Sequence, residues 1–135
     1  MCEESRMTLA DVSGYAALAI GAFQVLANGA SVVRGVGRLP RELATEGATT
    51  RIGDLLRAAW VYGTLGNLCV SIVLLLVASG LRAGEPLARR LAIAIGIYYL
   101  ILGAATYCFA QTRHPGLLVF SLMGVALLMT LWFSR

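Results

Sequence analysis

Residues 58–81 read AAWVYGTLGNLCVSIVLLLVASGL, a stretch without a single Asp, Glu, Lys or Arg. A hydrocarbon core about 30 Å thick takes roughly 20 mainly apolar residues in helical form, and it cannot solvate an ionised side chain. This segment meets both demands, and three others resemble it: residues 12–33, 91–110 and 117–133. Together they take up most of the 135 residues.

Composition agrees with a membrane setting. Apolar residues make up 59% and charged residues 13% of the chain, and the mean hydropathy is +0.78. A water-soluble domain of this length has no interior large enough to hide so much apolar surface. The first segment carries Gln24 and Asn28, yet it is too long for the apolar stretch of a cleaved leader, and Glu3 and Glu4 precede it where a leader is basic. It is read as a permanent span.

The connections fix the expected fold. Residues 82–90, RAGEPLARR, and 111–116, QTRHPG, are tight polar turns with glycine and proline at their breaks. Turns this short make successive helices antiparallel neighbours. The fold class expected is therefore an all-α integral membrane protein, a single transmembrane domain built as a four-transmembrane-helix up-down-up-down bundle. Residues 34–57, RGVGRLPRELATEGATTRIGDLLR, form the one sizeable polar connection. Pro40 can open a short helix there, with Glu42 in its first turn, and Thr50 can cap the helix that leads into the second span.

All eleven basic residues are arginines, and the net charge is +4. Arginines collect at the ends of membrane helices beside anionic headgroups, so no nucleic-acid partner is implied. Arg6, Arg82, Arg89, Arg90 and Arg135 fall on one side; Arg34, Arg38, Arg41, Arg51, Arg57 and Arg113 fall on the other. Five against six sets no orientation under the positive-inside rule, with a slight lean to a cytoplasmic first loop. The absence of lysine points to a GC-rich bacterial genome, hence to an inner membrane.

Helix faces carry more information. Gly14, Ala17, Gly21, Gln24, Asn28 and Ser31 recur at steps of three and four, which places them on one face of the first span. Ala92, Gly96, Tyr99, Gly103, Thr106 and Ala110 do the same in the third. Small and polar residues belong between helices in lipid, since they allow close backbone approach and interhelical hydrogen bonds. Gly63, Thr64, Asn67 and Ser71 extend the pattern to the second span, and Ser121 and Gly124 to the fourth. The stretches AIGAFQVLANGAS from Ala19 and AIGIYYLILGAAT from Ala94 also align, as a duplicated helical hairpin or as a chance match of apolar helices.

The polar positions gather towards one membrane side. Gln24, Asn28, Thr64, Asn67, Tyr99, Thr106 and Ser121 are the candidate lining of a polar pocket, with Arg34, Arg57, Arg113 and His114 as its rim. Two readings stand side by side. An amphiphile with an anionic head near the arginines fits such a pocket; equally, amides in membranes serve as glue between helices and arginines as headgroup anchors.

For catalysis the pattern offers little. Cys2, Cys69 and Cys108 have no metal-ligand spacing and are read as buried small hydrophobes, and His114 lies in a turn with no acid nearby. No cofactor or metal is expected. In size and span number the chain resembles the small membrane glutathione-transferase and eicosanoid family, whose arginine-alanine pair in span two is followed by an asparagine and a glutamate. Here Arg57 and Ala58 are followed at those positions by Val61 and Thr64, so the signature is missing.

The function expected is that of a small non-catalytic multi-pass membrane protein, either a lipid or hydrophobic-ligand binder or an accessory subunit of a membrane complex. An oligomeric passive pore, a small transporter and a four-span enzyme are the alternatives. Its partners would be membrane lipid and a membrane protein or a second copy of the chain.

Overall fold

A computed structural model describes residues 9–38, 41, 45, 47, 49–109 and 118–133. Among these the fold is all-α, with four helices: α1 (Leu9–Gly37), α2 (Thr50–Arg82), α3 (Pro86–Phe109) and α4 (Val119–Phe133). The first three are long and apolar enough to cross a membrane. The fourth is a shorter apolar helix, described over 15 residues.

Large apolar side chains cover the outward faces: Leu26, Leu76, Ile101 and Leu122 are all more exposed than buried. Such surface is costly in water and neutral against acyl chains. Polar groups are handled as hydrocarbon requires. The hydroxyls of Thr64 and Ser71 donate to the carbonyls of Trp60 (2.7 Å) and Asn67 (2.6 Å) one turn back, and Thr106 does the same to Leu102. Among the described residues no buried side-chain nitrogen or oxygen lacks a partner.

The chain divides into two compact units, and each takes part of α1 and part of α2. The first unit holds α1 up to Ile20, α2 from Val73, and α3 and α4. Gly14 of α1 lies under the stem of Arg82, so close that an added Cβ would strike that stem and come within 3.0 Å of the Ala78 carbonyl oxygen. Arg82 reaches Asp11 with its Nε (3.6 Å) and places its guanidinium 4.9 Å from the centre of the Tyr15 ring. Asp11 sits in the first turn of α1 and Arg82 in the last turn of α2, so each also complements its own helix dipole.

The α2–α3 corner is built from three consecutive residues. Gly84 adopts φ of 73°, its N–H donates to the Leu81 carbonyl (3.1 Å), and the Glu85 N–H donates to the Gly80 carbonyl (2.9 Å). This is a Schellman termination, and the left-handed residue in it is the one glycine supplies without strain. Glu85 then accepts the first bond of α3 from Arg89 (3.1 Å), and Pro86 takes the first helical position, where a missing N–H costs nothing. An added Cβ at Gly84 would meet nothing within 4 Å. The Gly84→Ala variant should therefore lose about 1 kcal/mol, all of it conformational, measured as a lowered Tm in mild detergent.

Helices α3 and α4 pack antiparallel through glycine. An added Cβ at Gly124 would come within 2.6 Å of the Gly96 carbonyl oxygen and 2.7 Å of the Leu100 nitrogen. At Gly103 it would strike the backbone and hydroxyl of Ser121. The Ser121 hydroxyl donates to the Leu100 carbonyl (3.2 Å), Tyr99 is fully buried with its ring stacked on Phe120, and Arg89 Nη2 donates to the Leu131 carbonyl near the end of α4 (2.9 Å). That last bond ties the first turn of α3 to the last turn of α4.

The second unit, Gly21–Ile72, packs the later part of α1 against the first two thirds or so of α2. Trp60 is the clasp: its indole N–H donates to the Ser31 carbonyl (3.0 Å), and its ring occupies the space that a side chain at Gly35 would need. Helix α2 starts one residue earlier than expected. Thr49, not Thr50, holds the cap position, its carbonyl accepting from the Gly53 N–H (2.9 Å). Pro40 and Glu42 lie outside the described residues; Arg41 and Thr45 beside them are helical.

Candidate functional site

The face read from sequence as the interior of α1 is its buried face. Gly14, Ala17, Gly21, Gln24 and Asn28 are buried and Ser31 is half-buried. In α3, Ala92, Gly96, Tyr99 and Gly103 are buried, whereas Thr106 is exposed where the same stripe placed it inside. Cys69 and Cys108, expected to be buried, are both exposed. Cys2, Arg113 and His114 lie outside the described residues.

The candidate pocket residues fall into two sets. Gln24, Asn28, Thr64 and Asn67 belong to the second unit; Tyr99, Thr106 and Ser121 belong to the first. In the second unit Gln24, Asn28 and Thr64 are buried and Asn67 is half-buried. The Asn28 amide donates to the backbone carbonyl of Gln24 (2.8 Å) and to its side-chain oxygen (3.2 Å). The Asn28 amide nitrogen is thus held by Gln24 one turn back on the same helix, and pairing a buried donor in this way avoids a desolvation cost of about 1–3 kcal/mol.

Space for a ligand lies on another side of α1. Residues 34, 38 and 41 follow in the sequence at steps of four and three; the Arg38 N–H donates to the Arg34 carbonyl (2.8 Å), and the Arg41 N–H to the Arg38 carbonyl (3.0 Å). All three arginines are exposed. They line an open groove of about 450 Å³ with Ala30, Val33 and Gly37. Its described lining is cationic at one end and apolar at the other, and it contains no carboxylate.

Two further grooves differ in character. One of about 280 Å³ lies along the start of α2 between Asp54, Arg57 and Tyr62, so it carries both signs of charge. The other, of about 330 Å³ in the first unit, is apolar along Val73, Val77 and Leu91 and has Glu85 beside it. None of the three grooves is lined by Gln24, Asn28, Thr64, Asn67, Tyr99, Thr106 or Ser121. Of the expected rim, Arg34 and Arg57 do face grooves, but different ones. Arg38 and Arg41 were counted in the sequence only as charges; the signal that would have found the groove is their helical spacing from Arg34.

Among the described residues no three His, Cys, Asp or Glu side chains come together as metal ligands. The fold and the grooves define a class: an all-α chain with three helices suited to a membrane and an arginine groove at the end of the first. No family model, no curated protein and no solved structure matches the chain.

Proposed function

We propose that this chain is a small non-catalytic multi-pass protein of a bacterial inner membrane, and that it binds an anionic lipid or other anionic amphiphile in the groove of Arg34, Arg38 and Arg41. The observation that carries this reading is the groove's lining, three guanidinium groups beside the apolar Ala30 and Val33. An amphiphile has the same two halves. Guanidinium forks bind phosphate and carboxylate oxygens in bidentate fashion, and the adjoining apolar wall suits the first carbons of a chain.

The accessory-subunit reading has its own support. Gly29, Gly63 and Gly66 of the second unit are exposed, with nothing within 4 Å of an added Cβ, and small residues on an outer face permit close approach of another helix.

Native mass spectrometry of the chain released from mild detergent tests both. A retained anionic lipid, lost in the Arg38→Gln, Arg41→Gln double variant, supports the binder. A stoichiometric protein partner with no lipid adduct supports the subunit instead, and a bare chain sinks the lipid-binding reading.

A further inference from the structure

We infer that the groove at the α2–α3 corner binds the primary ammonium of an ethanolamine lipid headgroup, with Glu85 as its counter-ion. Both helices are long and apolar enough to cross a membrane, and the corner joins the end of one to the start of the other, where headgroups lie. The groove measures about 330 Å³. Val77, Gly80 and Ala88 form its buried floor, and Leu76, Leu87 and Leu91 its exposed walls. From Val73 to Gly80 it follows two turns of α2, about 10 Å, so the start of an acyl chain can lie along it while the head stays at the corner.

The polar part of the described lining consists of acceptors. Glu85 folds its carboxylate back over α2, with Oε2 2.8 Å from the position a Gly80 Cβ would take, and the Ala88 Cβ closes the same spot from α3 (2.8 Å). Among the described residues that carboxylate accepts no hydrogen bond and has no cation within ion-pairing distance, although its place just before Pro86 would let it cap α3. The neighbouring guanidinium groups are engaged elsewhere: Arg82 with Asp11 (3.6 Å) and the Tyr15 ring, Arg89 with the Leu131 carbonyl (2.9 Å). Ser79, also in the lining, gives its proton to the Leu76 carbonyl (3.1 Å), so towards a ligand it can only accept.

Acceptors that include a negative charge demand a cation that donates hydrogen bonds. A primary ammonium does so with every N–H it carries. The trimethylated ammonium of choline has no N–H, and the described lining has no aromatic face of the kind that binds it. An anionic headgroup is repelled by the same carboxylate.

The test uses the full chain in nanodiscs of phosphatidylethanolamine and phosphatidylcholine in equal amounts with identical acyl chains, read by native mass spectrometry of the lipids retained. Phosphatidylethanolamine should be retained about threefold over phosphatidylcholine, the ratio of one exposed ion pair with charge-assisted hydrogen bonds. The monomethyl and dimethyl headgroups, which keep fewer N–H groups, should fall between them in that order. Glu85→Gln should bring the ratio to about one, and Asp54→Asn, at an exposed acid of the other unit, should leave it unchanged. Because the Glu85 carboxylate has no described partner, Glu85→Gln should keep the wild-type Tm, which separates lost binding from lost fold.

Equal retention of the two lipids overturns the inference, as does a preference that survives Glu85→Gln. Displacement of the lipid by soluble ethanolamine overturns it too, since the apolar walls would then take no part, and so does a protein partner or second copy retained in its place. None of these outcomes bears on the arginine groove, whose ligand is anionic and is lost in the Arg38→Gln, Arg41→Gln double variant.

Discussion

The Gly124→Leu variant should fail to assemble α3 with α4 and be recovered, if at all, as unfolded or aggregated protein. The atoms in the way are backbone on both sides of the contact, the Gly96 carbonyl oxygen and the Leu100 nitrogen, so no side-chain rotation can make room. Relief requires the two helices to move apart. That separation would also stretch the Ser121–Leu100 and Arg89–Leu131 hydrogen bonds and the stacking of Tyr99 on Phe120.

Even Gly124→Ala should cost about 2 kcal/mol, since overpacking of a close contact typically costs 1–3 kcal/mol and the gain in helix propensity offsets only part of it. Thermal unfolding in mild detergent measures both, with Gly63→Ala as the control. Gly63 has open space at its Cβ position, so alanine there should leave Tm unchanged or raise it slightly. If Gly124→Ala and Gly63→Ala behave alike, the close packing of α3 on α4 is wrong.

Loss of the indole at position 60 should have the next largest effect. Trp60 is 40% exposed, yet it both covers Gly35 and donates to the Ser31 carbonyl. The Trp60→Ala variant removes the packing and the bond and should cost about 2 kcal/mol, less than the 3–5 kcal/mol of a fully buried large aromatic. Trp60→Phe keeps most of the ring and removes the donor, so about 1 kcal/mol is expected. The split between the two is the informative quantity: if phenylalanine costs as much as alanine, the hydrogen bond holds the clasp, and if it costs nothing, packing alone does. Indole fluorescence in a Trp132→Phe background, where Trp60 is the one remaining indole, compared with the same chain carrying Ser31→Pro or Gly35→Val, reports whether the ring leaves its seat.

How far the fold was legible from sequence depended on what kind of residue carried the signal. In α1 and α3 the inward face is marked by glycine, alanine and amides, and the structure buries those positions from Gly14 to Asn28 and from Ala92 to Gly103. Ordinary hydrophobic periodicity could not have found them, because the outward faces are apolar too. That same property explains the error over Cys69 and Cys108. In water a small apolar thiol is driven inside; in a membrane the outside is an equally good home, so burial does not follow from residue type.

α4 was the least legible helix, being nearly uniform in hydrophobicity. Its run of apolar letters gave no sign that Leu127 and Leu131 are among the buried ones. Nor could sequence pair Asp11 with Arg82 or Arg89 with the end of α4, contacts that depend on how distant helices meet. The candidate pocket residues share a depth in the sequence pattern, but Gln24 and Asn28 turn to each other while the arginines open outwards. Depth along a helix is readable from position number; direction around it requires knowing which neighbour is there.

The length of α2 sets a relation between this protein and the thickness of its bilayer. Its 33 residues extend about 50 Å, some 20 Å more than a typical hydrocarbon core. The surplus is not uniformly polar: Ile52, Leu55 and Leu56 are exposed among Arg51, Asp54 and Arg57. In a thicker membrane those apolar side chains can submerge while the long arginine stems snorkel upward, and in a thinner one the helix can tilt or emerge by a turn. Hydrophobic mismatch therefore acts on this helix as a graded force rather than a limit, and the height of its charged first turns above the lipid surface is set by the membrane as much as by the chain.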